Sequence, residues 1–315
     1  MNRLAFRLLS LALAASATAA LAGPPAPAPD AKAAAAPVNV ARPFKDVGLW
    51  YGLFGGTICS WLDAGDGVFL VDTGSSGADA RALKAEIAKT TKNKPVKWIA
   101  LTHLHADSND GLPTFLPTDA TIFVNAKAAA LLVDVTNRQK GPAPSIVGVG
   151  ERLLLMAGKL RLEIGVPPAN AHTASDLYVF DAGTRTAFVG DLVTPDQCPM
   201  LSDPDSDLKG WLLALDRLDS LKAAALVPTR GNPATNPAAE IDRTRRYITS
   251  MLQYLVEKKK QDAPEARVTG ELSIEKLGSY CPRELNAINA LSVYRRIAVD
   301  GTMVPGSALQ KARPK

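Results

Sequence analysis

Three histidines, all that the chain contains, carry its most specific chemical signal. Two of them stand two positions apart in Thr102-His103-Leu104-His105-Ala106-Asp107, directly after a short apolar run typical of a buried strand. In the turn after such a strand, two imidazoles at this spacing can face one cation, while Asp107 can reach a neighbouring ion or a bound water. The third histidine, His172, precedes another predicted strand. Imidazole suits zinc, and three protein ligands with an open fourth position are typical of catalytic zinc, so the sequence predicts a zinc centre.

Two further carboxylates stand where predicted strands end. Asp191 closes Phe188-Val189-Gly190-Asp191, and Asp72 lies in Val71-Asp72-Thr73-Gly74. Taken in order, these two motifs, the histidine pair and His172 resemble the metallo-β-lactamase-fold superfamily over about residues 45–260. The resemblance implies an α/β fold, an αβ/βα sandwich of two mixed β-sheets flanked by helices, with the metal site at one edge.

The resemblance also assigns roles to individual residues. It implies His103, His105, His172 and Asp191 as metal ligands and Asp107 as the catalytic residue that holds or deprotonates the water. Asp191 is divided between a weak metal ligand and a partner of Arg230, and Asp72 is expected in the loop network beneath the site. More narrowly, residues 190–193, 208–212, 215–218 and 286–296 resemble exported zinc metallohydrolases found beside quinoprotein dehydrogenase systems.

The chain departs from the dinuclear members of the superfamily at two positions. Ser108 stands where they have a histidine after the aspartate, and Pro228-Thr229-Arg230-Gly231 stands where they have Pro-Gly-His-Gly. Both missing imidazoles belong to the second metal site, so we expect one zinc ion per chain. Arg230 stays cationic and offers no lone pair. It can neutralise Asp107 and Asp191, clamp a substrate carboxylate or phosphate, or serve as a plain salt-bridge partner; Ser108 is a small replacement.

The function predicted from these residues is zinc-dependent hydrolysis of an ester, thioester, lactone or lactam carbonyl in a small molecule. Because Arg230 is a cation, this substrate can be anionic. The loss of second-site ligands argues against efficient β-lactamase activity. The alternative is a metal-binding accessory protein whose catalysis has decayed, serving a periplasmic quinoprotein dehydrogenase system. Fold alone does not decide between them.

The ends of the chain indicate export and a domain order. Residues 1–22 combine Arg3 and Arg7 with an apolar stretch and a small-residue cleavage site, which predicts a bacterial Sec-type signal peptide and a periplasmic or secreted protein. Residues 23–42 form an Ala/Pro-rich linker, residues 43–262 the metallo-β-lactamase-like domain, and residues 263–315 a helical extension packed on it.

Composition limits the class of protein. Of 315 residues, 47% are hydrophobic and 21% charged, which excludes a disordered chain and a disulfide-dense miniprotein. The formal charge of +5, which falls to +3 without Arg3 and Arg7, is mild and dispersed, so no nucleic-acid partner is expected. No membrane association is expected after signal cleavage, and the oligomeric state stays open. Cys198 and Cys281 are the favoured disulfide pair, and three unpaired thiols remain the alternative.

The predicted elements alternate between strand and helix, as a layered α/β architecture requires. The strands are predicted at residues 50–61, 68–72, 96–101, 121–125, 153–156, 159–165, 177–181, 186–189 and 226–228, and the helices at residues 78–90, 127–135, 208–221, 237–260 and 285–297.

Overall fold

The computed structural model describes residues 47–52, 56–116, 119–136, 144–273 and 281–306. These residues fall within one compact unit, Val40–Lys315. The predicted signal peptide and linker lie outside the described residues, and the boundaries between the four predicted segments stay predictions. In the part of the chain that is described, no helix combines the length and the apolar composition needed to cross a membrane.

The first sheet contains six strands in sequence order. They are β1 (Val47–Tyr51), β2 (Ile58–Asp63), β3 (Val68–Val71), β4 (Val96–Ala100), β5 (Thr121–Asn125) and β6 (Ser145–Val149). Strands β1 to β3 pair antiparallel and β3 to β6 pair parallel, so the sheet is mixed. Both faces of β3 are buried. An uninterrupted apolar run is therefore the expected sequence for it.

The second sheet contains five strands in the order β11-β10-β9-β8-β7. They are β7 (Arg152–Ala157), β8 (Leu160–Gly165), β9 (Tyr178–Asp181), β10 (Thr186–Gly190) and β11 (Ala225–Pro228). Only the pair β10–β11 is parallel. A core cluster that unites Phe69 and Phe123 of the first sheet with Ile164 and Phe188 of the second fills the space between the sheets.

Helices cover the outer face of each sheet. The helices in the described part of the chain are α1 (Gly77–Thr91), α2 (Ala106–Asn109), α3 (Ala126–Thr136), α4 (Leu208–Ser220), α5 (Pro237–Lys260), α6 (Glu265–Gly270) and α7 (Arg283–Tyr294), of which α2 is a single turn just after His105. Leu83 of α1 and Leu132 of α3 share a cluster with the first sheet. Trp211 of α4 and Met251 of α5 share one with the second sheet and with Val293 of α7. The predicted αβ/βα sandwich of two mixed sheets is confirmed.

The structure corrects the predicted elements at four places, one of which is the short helix α2, whose four residues are too few to show a helical period. The run predicted over residues 50–61 is two antiparallel strands, β1 and β2, in which Tyr51 lies opposite Ile58 and the Gly52 N–H donates to the Thr57 carbonyl. Strand β6 was not predicted, because Gly148 interrupts its apolar run. Helix α6 was not predicted either, since its six residues are too few to show a helical period.

A disulfide joins Cys198 and Cys281, which confirms the favoured pair. Cys59 is a buried thiol outside it. The disulfide links the segment after β10 to the start of α7, and α7 itself packs against α5 and α6. The described part of the C-terminal extension thus packs against the helical layer of the second sheet.

Candidate metal centre

The predicted ligands come from strand ends at one edge of the sandwich. His103 and His105 follow β4, Asp191 follows β10, and His172 precedes β9. Because β9 runs antiparallel to β10, the start of β9 lies beside the end of β10. The Leu177 N–H donates to the Thr102 carbonyl over 2.7 Å, which ties the loops of the two sheets together here. Topology therefore brings together residues up to 88 positions apart.

The four predicted ligands form one cluster. One potential ligand atom from each of His103, His105, His172 and Asp191 lies within 4.8 Å of the others. The three imidazole rings meet edge to face, with centroids 4.8, 5.0 and 4.9 Å apart. His103 and His172 are buried, whereas 35% of the His105 side chain is exposed. The centre is thus open to solvent on the His105 side.

Hydrogen bonding fixes which nitrogen of His103 carries the proton. The Thr102 hydroxyl donates its one hydrogen to Asp72 Oδ2 over 2.7 Å. Thr102 Oγ1 also lies 3.0 Å from His103 Nδ1, and there it can only accept. His103 therefore carries its proton on Nδ1 and leaves the lone pair of Nε2 for the centre. Burial, together with the charges of the other two histidines and Arg230, lowers the pKa of His103 well below its ordinary value, which keeps this ring neutral.

A carboxylate lies beside each of the other two rings. His105 Nε2 lies 2.8 Å from Asp203 Oδ2, so this nitrogen donates a hydrogen bond and the lone pair of Nδ1 can bind a metal ion. His172 Nδ1 lies 3.6 Å from Asp176 Oδ1, too far for a hydrogen bond, and among the described residues it has no hydrogen-bond partner, while its Nε2 lies 3.8 Å from Asp191 Oδ2. Burial lowers the pKa of His172, but Asp176 and Asp191 outweigh it and raise that pKa overall. Metal-binding histidines characteristically donate their second nitrogen to such a carboxylate.

Asp191 supplies the carboxylate of the cluster. Its Oδ2 lies 3.8 Å from Nε2 of both His103 and His172. Its Oδ1 is buried and, among the described residues, has no hydrogen-bond partner. Burial raises the pKa of Asp191 above its ordinary value and outweighs the charges of His172 and His105, which lower it. Three inward lone pairs and an unpartnered carboxylate oxygen fit a zinc ion.

Arg230 lies between the two predicted acidic residues of the centre. Its Nε donates to Asp191 Oδ2 over 3.1 Å, and its Nη2 pairs with Asp107 Oδ2. Burial lowers the pKa of Arg230, although a guanidinium stays charged at any working pH. Among the roles considered for Arg230, these contacts fit that of a cation that neutralises both carboxylates. Asp107, whose side chain is 33% exposed, stands at the solvent side of this pair.

Asp72 holds three loops together beneath the centre. Its buried carboxylate accepts the Thr102 N–H at 2.8 Å, the Thr229 hydroxyl at 2.9 Å and the Asn109 amide at 3.3 Å, besides the Thr102 hydroxyl. Burial raises the pKa of Asp72 to about 6 in spite of these donors. The predicted place of Asp72 in a loop network is therefore the place that it occupies.

Ser108 is buried beside the histidine cluster. Its Oγ lies 3.4 Å from Asp107 Oδ1 and 3.4 Å from His103 Nε2. Neither distance makes a strong hydrogen bond, and no base orients this hydroxyl as a nucleophile would require. Ser108 fills a small volume at the position where dinuclear relatives carry an imidazole.

Sequence reasoning missed Thr102, Asp176 and Asp203. Thr102 adjoins the motif and Asp176 follows His172 by four positions, so proximity alone was the available signal. Asp203 lies in Asp203-Pro204-Asp205-Ser206-Asp207, where no local feature separates the three aspartates. Its partner, His105, is 98 positions away. Long-range pairing of this kind has no signature in a single sequence.

Comparison with known proteins places the fold. A family model described as "Metallo-beta-lactamase superfamily" matches residues 53–230. Among solved structures, a metallo-beta-lactamase from Pontibacter korlensis is 23% identical with a TM-score of 0.54, and the match covers 67% of this chain and 99% of that one. A metallo-beta-lactamase from Hirschia baltica is 21% identical with a TM-score of 0.52, and the match covers 68% of this chain and 98% of that one.

A third solved structure covers a larger share of this chain. The inverting sec-alkylsulfatase Pisa1 from Pseudomonas sp. is 12% identical with a TM-score of 0.64, and the match covers 86% of this chain and 51% of that one. This chain therefore spans about half of the sulfatase. At these identities the likenesses show the fold. No curated protein matches the sequence.

Proposed function

Because the chain belongs to the metallo-beta-lactamase superfamily, we propose that it is a zinc-dependent hydrolase with one metal ion per chain. The observation that carries the proposal is the cluster of three oriented imidazoles and Asp191. When bound, zinc would lower the pKa of a coordinated water to about 7 and polarise a substrate carbonyl. The substrate proposed is a small molecule with an ester, thioester, lactone or lactam carbonyl.

Within this centre the chain's own groups have separate tasks. Asp203 and Thr102 hold the rings of His105 and His103 by hydrogen bonds, and Asp176 lies beside the ring of His172 as its nearby negative charge. Asp107 stands at the solvent side, where it would orient the attacking water and accept its proton. Arg230 holds Asp107 and Asp191 as carboxylates, and so provides the positive charge that dinuclear relatives obtain from a second metal.

We also propose that the protein works after export, in the periplasm or outside the cell. The signal-like N-terminal segment and the disulfide support this location, because disulfides persist in oxidising compartments.

The test combines metal analysis with turnover. Purified protein should hold about one equivalent of zinc, and it should hydrolyse a member of a panel of esters, thioesters, lactones and lactams. Chelation and His105→Ala should abolish turnover, and zinc should restore the chelated protein only. Asp107→Asn should lower kcat by about 10²–10⁴-fold, whereas Asp110→Asn, an exposed neighbour, should not. Tight zinc binding without metal-dependent turnover on the whole panel would instead support an accessory protein.

A further inference from the structure

The residue that orients His105 lies in a loop without regular secondary structure. We call residues 198–207, between β10 and α4, the aspartate loop. Asp203 Oδ1 accepts the N–H of Asp205 at 2.8 Å, which shapes the turn, and its Oδ2 faces His105. Since neither a helix nor a strand fixes this loop, the position of Asp203 depends on what the loop packs against.

One face of α7 and the turn that follows it hold the aspartate loop. Asn289 accepts the Leu201 N–H at 2.9 Å and donates to the Pro199 carbonyl at 2.8 Å. The Ser292 hydroxyl donates to the Ser202 carbonyl at 3.3 Å. Positions 289, 292 and 296 share one helical face, so these contacts come from a single surface. The disulfide adds a covalent link between Cys198, at the start of the loop, and Cys281, two positions before α7.

Arg296 makes the most demanding of these contacts. It is 6% exposed, and its guanidinium donates to the carbonyls of Pro204 and Ser206 at 2.9 and 2.8 Å. It also donates to the Ser206 hydroxyl at 2.9 Å and reaches the Leu201 carbonyl at 3.4 Å. Burying a cation costs free energy unless its donors are satisfied, and here loop oxygens on both sides of Asp203 satisfy them. The planar guanidinium, with its fixed donor directions, thus fixes the backbone conformation of the segment that carries Asp203.

We propose that Arg296 is a positioning residue for the metal centre, acting through the aspartate loop to keep Asp203 on His105. It touches neither the metal ligands nor the substrate. This inference rests on the proposed function only in that the centre binds zinc. The C-terminal helix is then part of the machinery that prepares the metal site, in addition to covering the second sheet.

Zinc affinity, measured by competition with a chromophoric chelator, tests the proposal on the full mature chain. Arg296→Gln should weaken zinc binding by about tenfold, as loss of a partner behind a metal ligand does. Asp203→Asn should weaken it by a similar factor, and the double variant should be no weaker than Asp203→Asn alone. Arg295→Gln is the matched control: Arg295 is exposed, pairs with Glu265, and should leave zinc affinity unchanged.

A merely structural arginine predicts a different result. It would lower the unfolding midpoint of the zinc-free protein but leave the zinc affinity of the folded fraction as in the wild type, and that outcome would overturn the proposal. Effects of Arg296→Gln and Asp203→Asn that multiply in the double variant would overturn it as well. Should Arg296→Gln not fold, Arg296→Lys, which keeps the charge and loses the fork, should still weaken zinc binding by about threefold. Failure of the hydrolase panel with tight zinc binding would contradict the proposed function and leave this inference standing.

Discussion

Arg230 and Asp191 form an ion pair at the edge of the sandwich, in which the arginine Nε donates to Asp191 Oδ2 over 3.1 Å. The same guanidinium pairs with Asp107, so one side chain satisfies the two carboxylates that a second metal ion would otherwise bridge. The centre keeps its three-histidine site and exchanges a removable cation for a covalently attached one. The first prediction from this exchange concerns the number of zinc ions that the protein binds.

Arg230→His should raise the zinc content from about one to about two equivalents. The new imidazole would join Asp107 and Asp191, which lose their guanidinium partner and become available as ligands. Arg230→Lys keeps a cation at the position and should stay at about one equivalent. Metal analysis of the purified variants decides the matter. An unchanged content in Arg230→His would mean that Arg230 is not what excludes the second ion.

Gly190 is required by both backbone conformation and space. Its φ is +57°, and a Cβ added there would lie 2.8 Å from the Thr102 Cβ, against the residue that orients His103. We expect Gly190→Ala to lower the free energy of unfolding by about 2–4 kcal/mol and to weaken zinc binding. Urea denaturation measures the first effect. Gly183→Ala, where the nearest atom lies 3.5 Å away, is the control and should change stability by less than about 0.5 kcal/mol. Equal costs at the two positions would contradict the argument.

The sequence predicted the sandwich and the histidine cluster because both rest on local patterns. His103 and His105 stand directly after a strand whose apolar run is legible, and His172 stands directly before another. The contacts that orient the rings rest on tertiary structure instead. Asp203 reaches His105 only because Arg296 and Asn289 hold its loop, and these residues are about 90 positions from their loop partners. Strand β6 was missed because Gly148 interrupts its apolar pattern. In the structure this glycine leaves room for α3, since a Cβ added at Gly148 would lie 3.1 Å from the Ala126 Cα.

Asp72 should make stability depend on pH in an unusual direction. Its pKa in the folded protein is about 6, above the ordinary value of 3.8, so the folded state favours its protonated form. The stabilisation is complete below the unfolded pKa and is lost as pH rises through about 6. Relative to Asp72→Asn, the wild type should therefore gain up to about 3 kcal/mol as pH falls from 7 to 4.

The measurement is urea denaturation of metal-free protein across that pH range. Asp66→Asn is the control with the opposite sign, because the hydrogen bond from Lys97 lowers the pKa of Asp66. Relative to that variant the wild type should lose stability as pH falls. A stability difference between wild type and Asp72→Asn that does not change with pH would show that Asp72 titrates normally.

The disulfide should contribute substantially to stability, because its two cysteines are 83 positions apart. Cross-linking residues that far apart restricts the unfolded chain, and a contribution of about 4 kcal/mol is expected. Cys198→Ala/Cys281→Ala should lose this amount in urea denaturation. Cys59→Ala, which removes a buried thiol outside any disulfide, should cost clearly less.

A reductant gives a second test: it should lower the wild-type midpoint towards that of the double variant and leave the double variant unchanged. Since the bond ties the aspartate loop to α7, the reduced wild type should also bind zinc more weakly. Identical midpoints with and without reductant would show that the cross-link does not stabilise the fold.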